Sequence, residues 1–440
     1  MRALRHRSAV CALTFAALSL AAAPTATAAA AHATQPANCD DWTAYRQFVA
    51  RFVQQDGRVV DYSTAVQQST SEGQSYAMFF ALVANDRATF DRLLGWTRSN
   101  LSAGRFDSAN VQLPAWQWGR KPDGSYGVLD PNSASDADLW IAYDLFEAAR
   151  LWREPSYSKL AWALVTQIEK QEVATLAGLG PMLLPGPHGF QTGGTTRLNP
   201  SYLPLPVLRA LAAEAPSGPW ASIAANAYTL VKTTAPRGFS PDWAAWRDGR
   251  FIVDPKSGDV GSYDAIRVYL WAGLTDASDP LAKPWLDAVG GMREQIAKTG
   301  VPPERVMTTS GVAQGEAPLG FWGALLPYLR AFNDARAANL AQTHLAALNA
   351  TATAAVTPGA AAANATPNAA PNTTPNATPN VAPNAAPPDA SAPGNNPPVY
   401  YDEVLMLFGT GAADGRYHFD ATGRLLPRWE TLCSPAHARS

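Results

Sequence analysis

The 440-residue sequence contains only three cysteines, and no cysteines and histidines recur at the spacing that holds a structural zinc ion. It also lacks a Gly-x-Ser-x-Gly nucleophile elbow and a phosphate-binding glycine loop, which argues against two common classes of enzyme. No metal site and no cofactor are therefore expected. An excess of basic charge is missing as well, since 34 Lys and Arg face 36 Asp and Glu. This balance argues against a nucleic acid or an anionic membrane as partner and favours an uncharged one.

Long apolar runs are absent, with one exception at the N-terminus. Residues 1–33 carry Arg2, Arg5 and Arg7, then an apolar run at 9–23, and end in small residues. This pattern is typical of a secretory signal peptide, and the run is too short for a permanent membrane anchor. It predicts a protein that is exported to the periplasm or secreted, with no membrane span in the mature chain.

The few cysteines fit an exported protein. Cys11 leaves with the signal peptide, while Cys39 and Cys433 stand near opposite ends of the mature chain. In an oxidising compartment these two could form one disulfide that ties the termini together. The alternative is two unpaired thiols.

Aromatic residues are plentiful, with 14 Trp and 14 Tyr. Most belong to the core, but the excess suits stacking on sugar rings, whose C–H faces pack against aromatic planes. Trp116, Trp118 and Trp243 stand beside turn residues, where burial is less assured, and are candidate sugar platforms. The alternative is that they are aromatic lids packed over helix ends.

One stretch, residues 70–85, organises the rest of the chain. In it Glu72 stands at the start of a strongly apolar helix, whose large side chains recur at steps of three and four at Tyr76, Phe79, Phe80 and Val83. Ser69 and Glu72 also fit the Ser-x-x-Glu capping box, in which the glutamate only satisfies free backbone N–H groups. A second observation is needed to decide between a cap and a functional carboxylate.

That observation is repetition. Similar apolar helices open near residues 72, 136, 199, 264 and 320, at steps of 56 to 65 residues, and a sixth opens near 402. Such a period accommodates one helical hairpin. Amphipathic segments separate them at 88–101, 156–172, 220–232, 281–297 and 333–348, and the segment 41–52 can serve the sixth apolar helix. The sequence predicts an all-α ring of inner helices alternating with outer ones.

Residues from about 350 to 398 interrupt this pattern. They repeat the tetrapeptide Asn-x-x-Pro, and sequence so rich in Pro and Ala lacks the apolar content to pack. It is expected to be a disordered insert within one domain of residues 34–440, because the sixth apolar helix beyond it is still needed to complete the ring.

Acidic residues gather where the inner helices begin. They are Glu72, Asp136, Asp138 and Asp264, with Asp402 a weaker candidate, and Tyr76, Tyr202 and Tyr263 stand among them. Splitting a glycosidic bond requires one carboxylic acid to protonate the leaving oxygen and a carboxylate on the other side. Arg267, one helical turn after Asp264, would hold Asp264 ionised, as a base requires.

Three stretches around these residues resemble the signatures of glycoside hydrolase family 8: Thr70-Ser-Glu72-Gly-Gln-Ser-Tyr76, Ala134-Ser-Asp136-Ala-Asp138 and Ser262-Tyr263-Asp264-Ala-Ile-Arg267. The similarity runs from about Cys39 to Cys433, excepting the insert. It implies an (α/α)6 barrel that cleaves internal β-1,4-glucan bonds with inversion of configuration. By motif, Glu72 would be the proton donor, Asp264 the base that activates water, and Asp136 either a nucleophile or, as inversion favours, a ligand of the sugar.

Within that family the resemblance is to secreted cellulases encoded with bacterial cellulose synthase. It implies a β-1,4-glucan as substrate and a link to the cellulose synthase complex. The other residues predicted to bind substrate are Tyr76, Trp116, Trp118, Asp138, Tyr202, Trp243, Tyr263 and Arg267. The alternatives are a non-catalytic glucan-binding scaffold, a family member acting on xylan or chitosan, and a polysaccharide lyase, which would need a more basic site.

Overall fold

The computed structural model describes residues 42–354 and 399–432. The predicted signal peptide, the predicted Cys39–Cys433 disulfide and nearly all of the insert lie outside these ranges, and they stay predictions. Among the described residues no helix combines the length and apolarity needed to cross a bilayer.

Fourteen α-helices lie in the described part of the chain. They are α1 Thr43–Phe52, α2 Ser71–Val83, α3 Arg87–Trp96, α4 Ser135–Leu151, α5 Pro155–Gln171, α6 Leu205–Glu214, α7 Trp220–Thr234, α8 Ile266–Leu274, α9 Ala282–Ala288, α10 Gly291–Thr299, α11 Leu319–Ala331, α12 Ala335–Ala354, α13 Tyr400–Ala413 and α14 Arg428–Leu432. Helices α2, α4, α6, α8, α11 and α13 contact one another in that order, and Phe79 and Phe80 of α2 pack on Phe408 of α13 to close the ring. Each contacts one outer helix: α3, α5, α7, α9, α12 or α1. The predicted (α/α)6 barrel is confirmed.

Burial explains why the inner helices are apolar on every side. In α2 all residues but Glu72 are buried, because neighbours cover the helix on both flanks and an outer helix covers its back. The outer helices need only one apolar stripe. Helix α5, for example, buries Tyr157, Leu160, Ala161, Leu164, Val165 and Ile168 and leaves its other face to solvent.

Glycines bring three neighbouring inner helices unusually close. A Cβ on Gly409 of α13 would overlap the carbonyl oxygen of Gly323 on α11, and a Cβ on Gly273 of α8 would overlap the backbone of Tyr328. Only a residue without a side chain fits at such contacts. This part of the ring is therefore packed backbone against backbone.

Short antiparallel strands occupy the connections, where the sequence predicted only loops. They are β1 Ser69–Thr70, β2 Gln117–Arg120, β3 Tyr126–Asp130, β4 Val173–Leu176, β5 Gly180–Leu183, β6 Gln191–Thr192, β7 Thr195–Leu198, β8 Ala244–Arg247, β9 Arg250–Val253, β10 Val260–Gly261, β11 Arg305–Met307, β12 Val312–Gln314, β13 Tyr417–Phe419 and β14 Leu425–Pro427. They form five small sheets, in the orders β1-β2-β3, β4-β5, β6-β7-β8-β9, β10-β11-β12 and β13-β14. Strands β1, β7 and β10 end just before inner helices begin, so they fix the backbone there.

Four predicted helices differ in detail from the structure. The segment 281–297 is two helices, α9 and α10, interrupted around Gly290. The segment 88–101 ends in a π-helical turn at Thr97–Leu101, and α12 runs on to Ala354, into the first residues assigned to the insert. The third inner helix opens with a 3-10 turn at Pro200–Tyr202 before α6 begins, because Pro204 and Pro206 lack the N–H groups that a continuous helix uses.

Candidate active site

Glu72 is not a helix cap. The N-cap of α2 is Thr70, whose Oγ1 accepts a hydrogen bond of 3.0 Å from the backbone N–H of Gly73. With the helix end satisfied, the carboxylate of Glu72 instead accepts a bond from Arg267, with 2.5 Å between Oε2 and Nη1. The capping-box interpretation is therefore wrong.

Arg267 brings three of the predicted carboxylates together. Besides Glu72, its Nη2 lies 3.2 Å from Oδ1 of Asp264 and 3.8 Å from Oδ2 of Asp136. The guanidinium is buried, with only 4% of the side chain exposed. One cation cannot compensate three negative charges this close to it, so this arrangement favours a proton on at least one carboxyl group.

Exposure divides the three carboxylates into two kinds. The side chains of Glu72 and Asp264 are 21% and 26% exposed, whereas that of Asp136 is 2% exposed. An acid and a base must each reach the substrate or a water, and the two more exposed carboxylates are the better placed for those two roles. The other oxygen of Asp264 accepts a bond of 3.2 Å from Nδ2 of Asn199.

The pKa values of Glu72 and Asp136 are both raised. Burial raises the pKa of Glu72, with Arg267 opposing and the charge of Asp264 adding to it. Burial also raises the pKa of Asp136 well above its usual range, and the charge of Glu72 adds to that. Because both pKa values are raised, this pair holds a proton at a pH where isolated carboxyl groups have lost theirs.

Three residues that sequence reasoning did not assign to the site hold its parts in place. Ser201 accepts a bond of 2.9 Å from Nη2 of Arg267, and Tyr401 accepts one of 3.3 Å from Nη1. The Tyr401 hydroxyl also donates to the backbone carbonyl of Tyr263, at 2.7 Å. The third is Asn199, which binds Asp264. All three lie where an inner helix begins, as Glu72 does. That shared position in the repeat is the feature of the sequence that could have identified them as site residues.

The predicted tyrosines occupy three different settings. Tyr76 is 1% exposed and packs edge-on against Trp140 and Phe408, so it is a core residue, and burial, with the charge of Glu72 adding to it, raises its pKa. Tyr202 is half-buried, with the Arg267 guanidinium 5.8 Å from its ring centre. Tyr263 is half-buried and donates to Oε1 of Glu304 at 3.1 Å.

Trp243 lies in an aromatic cluster near the same rim. Its ring stacks on Phe190 with centroids 5.9 Å apart, and Tyr202 lies at 6.2 Å. The guanidinium of Arg197 sits 4.4 Å from the Trp243 ring centre. Phe190, Tyr202 and Trp243 thus form one aromatic cluster.

The two tryptophans of the other loop differ in their surroundings. Trp118 stacks on Tyr126 at 5.4 Å, and the guanidinium of Arg58 lies 4.3 Å from its ring centre. Trp116 is half-buried, has no aromatic ring partner among the described residues, and accepts from Ser71 N through its backbone carbonyl at 3.1 Å. Trp116 is therefore next to Glu72 in the fold and is the better placed of the two to meet a sugar.

We expect Trp116→Ala to raise KM for a soluble glucan by up to about tenfold, because stacking of this kind contributes about 0.5 to 1.5 kcal/mol. Thermal stability should change little. Trp162→Ala is the matched control, since Trp162 is 42% exposed on outer helix α5. Steady-state kinetics of both variants test this, and an unchanged KM for Trp116→Ala would return Trp116 to a purely structural role.

Asp138 lies in the interior rather than at the rim. Both it and Glu172 are fully buried, burial and the charge of Glu172 raise the pKa of Asp138, and Ser133 Oγ donates to Glu172 Oε1 at 2.6 Å. Residues two apart on a helix point about 200° apart, so Asp138 cannot share the direction of Asp136. Its predicted contact with a sugar is not available from this position.

This buried pair should make the protein less stable as pH rises. Burial raises the pKa of Glu172 from an ordinary 4.5 to about 7. The native chain therefore holds a proton that the unfolded chain releases, so this contribution to the free energy of unfolding is complete below pH 4.5 and is lost as pH rises to about 7. Urea denaturation at a series of pH values should show that decline, with a smaller slope in Glu172→Gln. An unchanged slope in that variant would contradict the assignment.

Asp402, the weaker candidate, is a cap. Its Oδ1 accepts a bond of 3.1 Å from the backbone N–H of Gly320, in the first turn of α11. Burial raises its pKa to about 6.

Comparisons with known proteins show the family of this chain. A model of the glycosyl hydrolases family 8 matches residues 14–357. The chain is 46% identical over 396 residues to an endoglucanase of Xanthomonas axonopodis pv. citri (strain 306), covering 90% of this chain and 91% of that protein. It is 39% identical to an endoglucanase of Escherichia coli (strain K12), covering 90% and 94%.

Solved structures agree as well. The crystal structure of an endo-1,4-D-glucanase from Vibrio fischeri ES114 matches with a TM-score of 0.75 and 37% identity, covering 89% of this chain and 100% of that one. Fold, motifs and sequence identity over most of the chain lead to one conclusion: this protein belongs to family 8 of the glycosyl hydrolases.

Proposed function

We propose that this enzyme hydrolyses internal β-1,4-glucosidic bonds of cellulose or a related β-glucan by an inverting acid/base mechanism. Glu72 is the proton donor, Asp264 the base, and Asp136 a ligand of the sugar at the cleavage point. The observation that carries the proposal is the Arg267 cluster, in which two partly exposed carboxylates contact the same guanidinium. The relatives with endoglucanase activity in their names support the choice of substrate.

The chemistry follows from the cluster. Glu72 gives its proton to the glycosidic oxygen while Asp264 removes a proton from a water that attacks the sugar carbon from the opposite side. The negative charge thereby passes from Asp264 to Glu72. Because Arg267 contacts both groups, it stabilises the charge before and after the transfer without moving, which is how a preorganised site lowers a barrier.

Asp136 is placed to orient rather than to attack. It is nearly without exposure, and its Oδ1 accepts from the backbone N–H of Ala137 at 2.9 Å. Inversion needs only an acid and a base, so a third carboxylate is not required as a nucleophile. It lies 3.8 Å from the guanidinium that contacts Glu72 and Asp264, so its loss should still reduce activity severely.

The substrate is tested with the purified mature protein on soluble cellulose, xylan and chitosan, by counting new reducing ends. We expect hydrolysis of soluble cellulose with a rapid fall in viscosity, as internal cleavage produces. Glu72→Gln prepared in parallel shows that the activity belongs to this protein. Hydrolysis of xylan or chitosan alone would overturn the substrate, and binding without hydrolysis would favour a scaffold.

The stereochemistry is a separate prediction. NMR of the first product from a β-glucan should show the α-anomer, since direct attack by water inverts the carbon. The carboxyl groups of Glu72 and Asp264 should then lie roughly 6.5 to 9.5 Å apart in a crystal structure, wider than the roughly 5 to 5.5 Å of a retaining pair. A β-anomer would mean that Asp136 or another carboxylate is a covalent nucleophile.

We also propose that the enzyme is exported and acts in bacterial cellulose biosynthesis beside the synthase complex. The signal-peptide pattern of residues 1–33 and the resemblance to cellulases encoded with the synthase support this. Cell fractionation of the full chain and of a chain lacking residues 1–33 tests export. Retention of both forms in the same compartment would contradict it, and copurification with synthase subunits tests the partnership.

A further inference from the structure

Asp242, which sequence reasoning passed over between two tryptophan candidates, binds the turn that carries Asp264. Its Oδ1 accepts from the backbone N–H of Ser262 at 2.7 Å and from that of Ala265 at 2.8 Å. Its Oδ2 accepts from the hydroxyl of Ser262 at 2.6 Å. Three hydrogen bonds from one carboxylate thus enclose the backbone on both sides of Asp264.

Asp242 provides side-chain acceptors that the N-cap position of the following helix does not. Helix α8 begins only at Ile266, and its N-cap Ala265 has no side chain that can accept a hydrogen bond. Charged acceptors at free backbone N–H groups make strong hydrogen bonds and suit the positive end of a helix. From another segment, Asp242 accepts the hydrogen bonds of two backbone N–H groups that directly precede α8.

Further contacts make the two segments one rigid unit. The backbone N–H of Asp242 donates to the carbonyl of Val260 at 2.8 Å, and a Cβ on Gly261 would overlap the carbonyl oxygen of Ser240. Residue 243, next in the chain, is the tryptophan that packs on Phe190. Residues 240–243 therefore connect the aromatic cluster of Trp243 to the turn that carries Asp264.

We propose that Asp242 is a positioning residue for the base, holding Asp264 where it can activate water. This inference rests on the proposed function, in which Asp264 is that base. The arrangement is maintained at a cost, since burial and the charge of Asp264 together raise the pKa of Asp242 to about 6. Asp242 acts through the backbone of the turn, because both of its oxygens are already engaged there.

Three substitutions separate geometry from charge. Asp242→Asn keeps the size and an acceptor for the two N–H groups but removes the charge, and Asp242→Glu keeps the charge but pushes the turn outward by one methylene. Asp242→Ala removes all three bonds. Because a displacement of about 1 Å can cost about 10²-fold in rate, we expect kcat to fall about 10²-fold for Glu and Ala and less than about tenfold for Asn, with KM nearly unchanged.

The matched control is Asp86→Asn. Asp86 caps α3 at the far end of α2, accepting from Thr89 N at 2.9 Å and from the Tyr45 hydroxyl at 3.0 Å, so its loss affects stability without touching Asp264. Circular dichroism establishes that each variant is folded, and Asp242→Glu carries the test if the alanine variant is not. A kcat lower for Asn than for Glu would mean that the charge acts and would overturn the proposal. Unchanged kcat in all folded variants would overturn it too.

A double-mutant cycle separates this proposal from the identity of the base. If Asp242 works only through Asp264, adding Asp242→Glu to Asp264→Asn lowers kcat no further. A further loss of about 10²-fold in the double variant would overturn the positioning role. Full activity of Asp264→Asn alone would instead refute the proposed base, and that single variant reports on it independently of residue 242.

Discussion

Glu72→Gln and Asp264→Asn should each lower kcat by about 10² to 10⁴ or more, with thermal stability nearly unchanged. The glutamine keeps the shape of Glu72 and can still accept from Arg267, but it has no proton to give. The asparagine cannot take a proton from water. Because burial raises the pKa of Glu72, wild-type activity should persist to a higher pH than an exposed glutamate would allow and decline as pH rises through that raised pKa.

Thr70→Ala is the control for Glu72→Gln. Thr70 is the residue that caps α2, and losing a cap costs about 0.5 to 2 kcal/mol of stability. We therefore expect the two neighbouring substitutions to behave in opposite ways, with stability falling at residue 70 and turnover at residue 72. Thermal melts and kinetics on the same preparations measure both, and a destabilised but active Glu72→Gln would restore the cap interpretation.

Gly409→Ala should be among the most destabilising single changes in the described part of the chain. The added methyl group would overlap the Gly323 carbonyl oxygen, and backbone cannot move aside as a flexible side chain can. Overpacking of this kind costs about 1 to 3 kcal/mol and occasionally more. Urea denaturation should show the loss.

Gly95→Ala makes the matched comparison. Gly95 lies within helix α3, and a Cβ there meets nothing within 4 Å. Since alanine favours a helix over glycine by about 0.5 to 1 kcal/mol, this variant should be slightly more stable than wild type. Equal stability of the two alanine variants would show that α11 and α13 can separate without loss.

Much of this architecture could be predicted from periodic features of the sequence. The apolar helices repeat at nearly constant steps because each must fill the same sector of one ring. This repeat predicts that Glu72, Asp136 and Asp264 lie at the same end of the ring. The strands were missed because stretches of two to five residues leave no periodicity to read.

Individual site residues were assigned less well where their role depends on the direction of a side chain or on a hydrogen bond to a residue distant in the sequence. Asp138 lies two residues from Asp136 in the same acidic motif, but the helix turns the two side chains to different faces. Tyr401, Ser201 and Asp242 act through hydrogen bonds to segments 20 to 138 residues away. Such contacts depend on the closed ring, so no local pattern could reveal them.

Closure of the ring also determines when, during synthesis of the chain, the site can be complete. Arg51 of α1 pairs with Glu403 of α13 at 2.7 Å, and Phe52 packs on Tyr400, so the first described helix holds the last inner helix in place. The hydroxyl that steadies Arg267 comes from Tyr401 of that same late helix. The proposed acid and base, Glu72 and Asp264, are therefore made well before Tyr401, and the site is complete only after nearly all of the residues have been made.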